Sequence, residues 1–175
     1  DVDGFHIDNI GKLFSGKPLY IPCTPNGIIK ILEHYDIETS GKHAVIIGRS
    51  NIVGLPMFAL LAQKFEKGNS TVTMCNSRTP DIEVFTKQAD ILVVAVGKPN
   101  IINSKMIKEG VHIIDVGINR VEDENMKKGY RIAGDVSNDI IGKAGSVTPV
   151  PGGVGPMTIT MLLYNTVMSA KKSFN

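Results

Sequence analysis

Three features predict an α/β protein, doubly wound on a mainly parallel Rossmann-type sheet with flanking bridging helices. They are short apolar, β-branched runs, helical spacing between those runs, and turns rich in glycine and proline. The runs are His43–Gly48, Thr71–Cys75, Ile91–Gly97, Val111–Gly117 and, more weakly, Ser146–Thr148. They are nearly continuous in apolar residues rather than alternating, as strands buried on both faces are.

Helical patterns fill the intervals. From Val53 the residues Val53, Met57, Leu60 and Leu61 share one face, with Pro56 near the first turn, where proline is tolerated. Thr79-Pro80 supplies an N-cap and first-turn pair for a helix over Ile82–Ala89, and Ser104 caps a short one to Lys108. Two more helices flank the unit. One opens at Thr24-Pro25 and runs to about Tyr35, with Ile28, Leu32 and Tyr35 on one side. The other follows Pro156, from about Met157 to Ser173, with Met161, Tyr164 and Met168 on one side.

The 175 residues suffice for one domain, or one domain and a fragment of a second. A net charge of +2, with basic doublets only at Lys127-Lys128 and Lys171-Lys172, argues against nucleic-acid and membrane partners and places those doublets on solvated faces. The longest apolar run is far short of the ~20 residues a spanning helix needs. The acidic N-terminus does not read as a secretory signal. Because the first residue is not methionine, the chain is expected to be processed, truncated or cut. Two cysteines, Cys23 and Cys75, make no disulfide framework and suit a reducing cytoplasm. The four histidines show no metal-ligand spacing, so no metal is expected; His43 and His112, at strand starts, are expected to take a packed or surface role rather than a catalytic one.

The first run ends in G-R-S-N-I-V-G-L-P, residues 48–56, a glycine-flanked turn from strand to helix. Backbone N–H groups and the helix dipole favour an anion in such a turn. It is not a G-x-G-x-x-G, and a tight structural turn is the competing reading; Arg49 and Ser50 add a cation and a hydroxyl suited to phosphate. The second run ends in Cys75-Asn76-Ser77-Arg78-Thr79, with no carboxylate until Asp81. An NAD site places an acid here to accept from the ribose 2′-hydroxyl, whereas a 2′-phosphate requires a cation. Ser77, Arg78 and Arg49 therefore favour NADP over NAD, a polar strand-end turn being the plainer alternative.

The stretch T-P-V-P-G-G-V-G-P-M-T, residues 148–158, holds three prolines and three glycines in eleven positions. Fixed φ angles alternate there with permissive ones. Its place after a strand and before a helix puts it on the ligand-binding edge of an α/β sheet. In D-V-D-G, residues 1–4, a calcium loop is rejected because Phe5 and Lys12 stand where further oxygen ligands are needed. A turn or a ligand-binding carboxylate remains.

Taken in order, D-V-D-G-F (1–5), P-C-T-P-N-G (22–27), G-R-S-N-I-V-G-L-P (48–56), D-V-G-I-N (115–119), G-D-V (134–136) and T-P-V-P-G-G-V-G-P-M-T (148–158) resemble the bifunctional methylenetetrahydrofolate dehydrogenase/methenyltetrahydrofolate cyclohydrolase family, the FolD type. The resemblance implies oxidation of 5,10-methylenetetrahydrofolate with NADP and hydrolysis of the product to 10-formyltetrahydrofolate, in one-carbon metabolism serving purine biosynthesis, by a cytoplasmic homodimer. It implies that Gly48, Arg49, Ser50 and Ser77 bind NADP, the last three near the 2′-phosphate, with Ile118 near the nicotinamide; Arg78 joins this set on the strand-end reading above. It further implies that Asp3 holds the pterin ring and that Pro151, Gly152, Gly153, Val154, Gly155, Pro156, Met157, Thr158 and Ile159 line the folate pocket.

By the same likeness, residues 1–23 are the tail of an N-terminal substrate lobe, 24–35 a bridging helix, 36–148 the NADP-binding domain, and 149–175 the folate-facing loop and returning helix. The family's catalytic tyrosine and lysine precede D-V-D-G, so no catalytic residue is expected in this chain, which should be inactive alone. The competing class is a stand-alone, non-catalytic dinucleotide-binding module.

Overall fold

The five apolar runs form strands β1 (His43–Ile47), β2 (Thr71–Cys75), β3 (Ile91–Val94), β4 (His112–Asp115) and β7 (Ser146–Val147). These pair in parallel in the order β2-β1-β3-β4-β7. The structure is a computed structural model describing residues 1–173, with Lys172 and Ser173 described in backbone alone. Side chains alternate across the sheet. Ala44, Ile46, Ile91, Val93 and Ile114 enter one core layer, and Val45, Ile47, Leu92, Val94 and Ile113 enter the other. Burial on both faces is why the runs carry no polar alternation.

The first layer is closed by α1 (Ile7–Phe14), α2 (Cys23–His34) and α3 (Gly54–Ala62), through Leu13, Ile28, Leu32, Met57 and Leu61, all fully buried. The second is closed by α4 (Ile82–Thr86), by single 3-10 turns at Ser104–Met106 and Asn138–Ile140, and by Ile102, Ile107 and Ile140. The long helix α5 (Val154–Ser173) returns across α2. A Cβ on Gly27 would lie 3.0 Å from Met157 Cβ, so this glycine sets how closely the two helices approach. Asn165, buried on α5, donates to the carbonyls of Val2 (2.8 Å) and Ile21 (3.1 Å) and pins the N-terminal segment.

Several local expectations change. Helix α4 stops at Thr86, and its N-cap is Asp81 in the left-handed region (φ 44°); the Thr79 hydroxyl instead accepts from the Asn76 N–H at 2.9 Å. Asn103, not Ser104, caps the first 3-10 turn, by accepting from the Lys105 N–H. On α2, Ile28 and Leu32 are buried, but Tyr35 lies past the helix end and is 69% exposed. On α5, Met161 is buried whereas Tyr164 is 54% exposed. That helix begins at Val154, with Pro156 in its first turn, where no intrahelical N–H is lost. Helix α1 and the antiparallel hairpin of β5 (Asn119–Glu122) and β6 (Tyr130–Ala133) carry no expectation from the sequence. His43 and His112 bond the cross-strand hydroxyls of Thr73 and Ser146, each at 2.9 Å. Lys127, Lys128 and Lys171 are exposed; the side chain of Lys172 lies outside the described residues.

Leu13 ties α1 to the main core, and the Gln63 side chain donates to its carbonyl at 2.6 Å. Leu13→Ala should therefore cost about 2–5 kcal/mol of stability. Urea unfolding checks this, and a loss below ~0.5 kcal/mol would place α1 outside the cooperative unit.

Candidate functional site

Strand order reverses at β1, which has β2 on one side and β3 on the other. At such a reversal the chain leaves adjacent strands in opposite directions and opens a crevice at their carboxyl ends. A cavity of about 800 Å³ lies at that edge. Its walls are Ser50 after β1, Ala95 and Gly97 after β3, Asp115 to Ile118 at the end of β4, and Pro149 to Pro156 after β7.

The turn after β1 is held by backbone contact. Gly48 has φ 118° and donates its N–H to the Cys75 carbonyl at 2.9 Å; a Cβ there would collide with the Ala95 carbonyl. A Cβ on Gly54 would collide with the Gly48 carbonyl, so the strand end and the helix start touch through two glycines. The Ser50 hydroxyl accepts from the N–H groups of Val53 (3.1 Å) and Gly54 (3.4 Å), which leaves its proton to donate outward. Register pairs Ile47 with Cys75, so Arg49 and Ser77 each stand two residues past paired positions at the same sheet edge. The turn after β2 is closed by its own bonds, Asn76 Oδ1 accepting from the Arg78 N–H and Thr79 Oγ1 from the Asn76 N–H, both at 2.9 Å. Among the described residues the exposed side chains of Arg49, Ser77 and Arg78 have no hydrogen-bond or carboxylate partner.

Two buried carboxylates organise the rest of the edge. Asp115 Oδ1 accepts from the N–H groups of Gly117 and Asp135, both at 2.9 Å, and Oδ2 from Val136 at 3.0 Å. Asp135 in turn accepts from the N–H groups of Val96, Gly97 and Lys98 and from the Asn119 amide. A Cβ on Gly117 would collide with the Asp135 carboxylate, and one on Gly134 with that of Asp115. Burial pushes the Asp115 carboxyl above the ordinary carboxylate value, against the pull of its three N–H donors.

The cavity gathers Ser50, Ile118, Pro151, Gly152, Gly153, Val154, Gly155, Pro156, Thr158 and Ile159. Thr24 joins them from α2, its hydroxyl 2.9 Å from that of Thr158. Six residues singled out from the sequence lie outside this lining. Gly48 is buried behind the turn; Arg49, Ser77 and Arg78 stand exposed at the sheet edge; Met157 packs toward Gly27 of α2 because the helix turns it away from the cavity. Asp3 is exposed, with no hydrogen-bond partner among the described residues. Burial, and then the Asp3 carboxylate, pushes the Cys23 thiol above its usual value, which sets Asp3 beside the start of α2. Asp1, by contrast, spends its carboxylate on the N–H groups of Phe5 (3.2 Å) and His6 (2.7 Å) and on the Asn9 amide (2.8 Å), as a turn does. Among the described residues, no group of three His, Cys, Asp or Glu is placed to hold a metal ion.

The family model of the tetrahydrofolate dehydrogenase/cyclohydrolase NAD(P)-binding domain matches residues 22–174. The chain belongs to this family. It is 55% identical, over 175 residues and 98% of its length, to the bifunctional protein FolD of Chlorobium chlorochromatii, and spans 59% of that relative. The crystal structure of the bifunctional FolD enzyme of Campylobacter jejuni superposes with a TM-score of 0.89 at 50% identity, over 99% of this chain and 58% of that one. The Trypanosoma brucei FolD, complexed with NADP cofactor and an inhibitor, does so at 0.91 and 39% identity, over all of this chain and 59% of that one. The chain thus spans about three fifths of the relatives it matches. The sequence alone assigns no role to Asp115, Asn119 and Asp135. The signal lies in D-V-G-I-N and G-D-V of this tetrahydrofolate dehydrogenase/cyclohydrolase domain, but the lock between the two motifs appears only where the end of β4 meets the residues after β6.

Asp115→Asn sets a donor against backbone N–H groups and should cost about 1–3 kcal/mol. Because the folded-state value is raised, the wild-type carboxyl contributes stability that is full below the unfolded value of ~3.9 and is lost as pH rises through the folded one. Urea titrations between acidic and neutral pH should show that this part of the pH dependence is missing in Asp115→Asn. An unchanged profile refutes the assignment.

Proposed function

We propose that this chain is the NADP-binding lobe of a methylenetetrahydrofolate dehydrogenase/cyclohydrolase. Its edge cavity supplies the nicotinamide site and one wall of the folate site. The observation that carries the reading is the pairing of a phosphate-suited rim with a cavity at the sheet's reversal point. Arg49, Ser77 and Arg78 present two cations and a hydroxyl with no carboxylate among them, which suits a 2′-phosphate and disfavours NAD. The volume of about 800 Å³ falls within the range of ligand sites. Ser50 would hold a phosphate at the 48–54 turn, and Ile118 would lie along the nicotinamide. NADP, when bound, supplies the hydride acceptor, and the protein's part in that step is to hold two rings at reacting distance.

Hydrolysis demands a group that moves protons. Among the cavity's lining residues the titratable one is Asp115, and its oxygens are taken by three backbone N–H groups. We therefore assign proton transfer to residues outside these 175, a tyrosine and a lysine by the family likeness. Asp3 and the stretch 151–159 face tetrahydrofolate derivatives in this reading. It keeps 1–23 as the end of the substrate lobe, 24–35 as a bridging helix, 36–148 as the cofactor domain and 149–175 as loop and returning helix. A homodimer, a cytoplasmic location and a link to purine biosynthesis rest on the family likeness. That Asp115, held by three N–H groups, is the titratable lining residue among the described residues also suits a stand-alone binding module, which would take dinucleotide but no folate.

Calorimetric titration with NADP, NAD and a folate analogue separates these readings. The chain should bind NADP more tightly than NAD, and Arg49→Ala should weaken NADP roughly tenfold while leaving NAD nearly unchanged, the size of one lost charge-assisted contact. Equal loss for both cofactors would sink the 2′-phosphate assignment. The 175 residues assayed alone should show no cyclohydrolase turnover, and turnover at an ordinary enzymatic rate of ~1 per second or more would refute the division of labour.

A further inference from the structure

The loop after β3 presents three successive backbone N–H groups to one carboxylate. Val96 donates to Asp135 Oδ2 at 2.7 Å, Gly97 to the same oxygen at 3.0 Å, and Lys98 to Oδ1 at 2.9 Å. Consecutive N–H groups converging on one point form an anion nest, the device by which many loops take up phosphate. Here the nest is filled from within, by a side chain with no solvent exposure. The same Oδ1 accepts from the Asn119 amide at 2.8 Å, and Asn119 directly follows Ile118, a cavity residue. Ala95 and Gly97, on the loop that carries the three N–H groups, line that cavity too. One carboxylate therefore fixes two walls of the site and removes a competing phosphate position from one of them.

We infer that Asp135 is a positioning residue for the dinucleotide: it confines the phosphates to the 48–54 turn and fixes the walls against which the nicotinamide end rests. The inference rests on the dinucleotide reading above. Asp135 has no exposed atoms and acts through the 95–98 loop and Asn119, not by touching the ligand. A purely structural role would weaken every ligand together with stability. A positioning role weakens the nicotinamide end selectively, because the adenosine end is held by the turns after β1 and β2, to which Asp135 makes no bond.

The test titrates the unsubstituted chain, Asp135→Asn, Asn119→Ala and Gln63→Ala with NADP and with adenosine 2′,5′-bisphosphate, which lacks the nicotinamide half. Asp135→Asn should weaken NADP about tenfold or more, the effect of losing well-made charge-assisted bonds. It should change the bisphosphate by no more than about twofold, the scatter expected between independent sites. Asn119→Ala should act in the same direction with smaller size. Gln63→Ala, which removes the 2.6 Å bond to the Leu13 carbonyl away from the cavity, controls for stability and should alter neither ligand. Equal losses for the two ligands, or an unchanged NADP affinity, overturn the inference. If Asp135→Asn does not fold, the ratio of the two affinities in Asn119→Ala decides by the same criterion. An unsubstituted chain that binds neither ligand overturns the dinucleotide reading itself, an outcome distinct from a variant that behaves like the parent.

Discussion

The loops after β3 and β4 and a hairpin meet at two buried carboxylates, Asp115 and Asp135, and the geometry of the candidate site depends on how their backbone N–H groups are satisfied there. A parallel sheet covered on both faces leaves its carboxyl edge as the place where loops must find new hydrogen-bond partners. Asp135 takes four donors and Asp115 takes three, one of them the N–H of Asp135 itself. The loops after β3 and β4 and the start of β5 are thereby joined to the end of β6. Each carboxylate is closely met by a glycine, Gly117 against Asp135 and Gly134 against Asp115, so the motifs D-V-G and G-D-V are two halves of one contact. The Thr148 hydroxyl extends it to the loop after β7, accepting from the Asp115 N–H at 2.8 Å.

Much of this protein is legible in its sequence because burial on both faces of a sheet leaves a strong compositional mark. All five parallel strands stand where the apolar runs predict, and Gly48, Gly54 and Gly153 mark turns whose backbones approach too closely for side chains. The hairpin was not legible because Asn119–Glu122 and Tyr130–Ala133 are short and mostly half-buried or exposed, with charged residues where a core strand carries apolar ones. Helix α1 was hidden by its length of eight residues and by a single core anchor, Leu13. The cap of α4 misled because Thr79 has two possible uses, and the tertiary turn at Asn76 took its hydroxyl. Candidate site residues are legible where the chemistry is local, as in the cation and hydroxyl of Arg49 and Ser77, and silent where it is relational. Nothing local distinguishes Asp135, 0% exposed, from a surface aspartate such as Asp139.

The raised carboxyl of Asp115 shows two opposing effects in one residue. Three N–H donors favour the charged form, while burial opposes it more strongly. The three N–H donors hold the carboxyl in the wall and suit it to fixing the loops around it rather than to moving toward a substrate.

That distinction separates the two halves of the site. At the sheet edge, Arg49 and Arg78 are exposed cations with no carboxylate partner among the described residues, which leaves both free to meet an anion. In the cavity the polar groups are hydroxyls, backbone and the Asp115 carboxyl held by three N–H donors, beside prolines and glycines. Such a largely apolar wall suits the proposed placing of a ring for hydride transfer, where the cofactor carries the electrons. It provides no proton-moving group, which hydrolysis requires. On the proposed reading, the acid and base of the hydrolytic step come from residues outside these 175, and this lobe's part is to hold the nicotinamide in place.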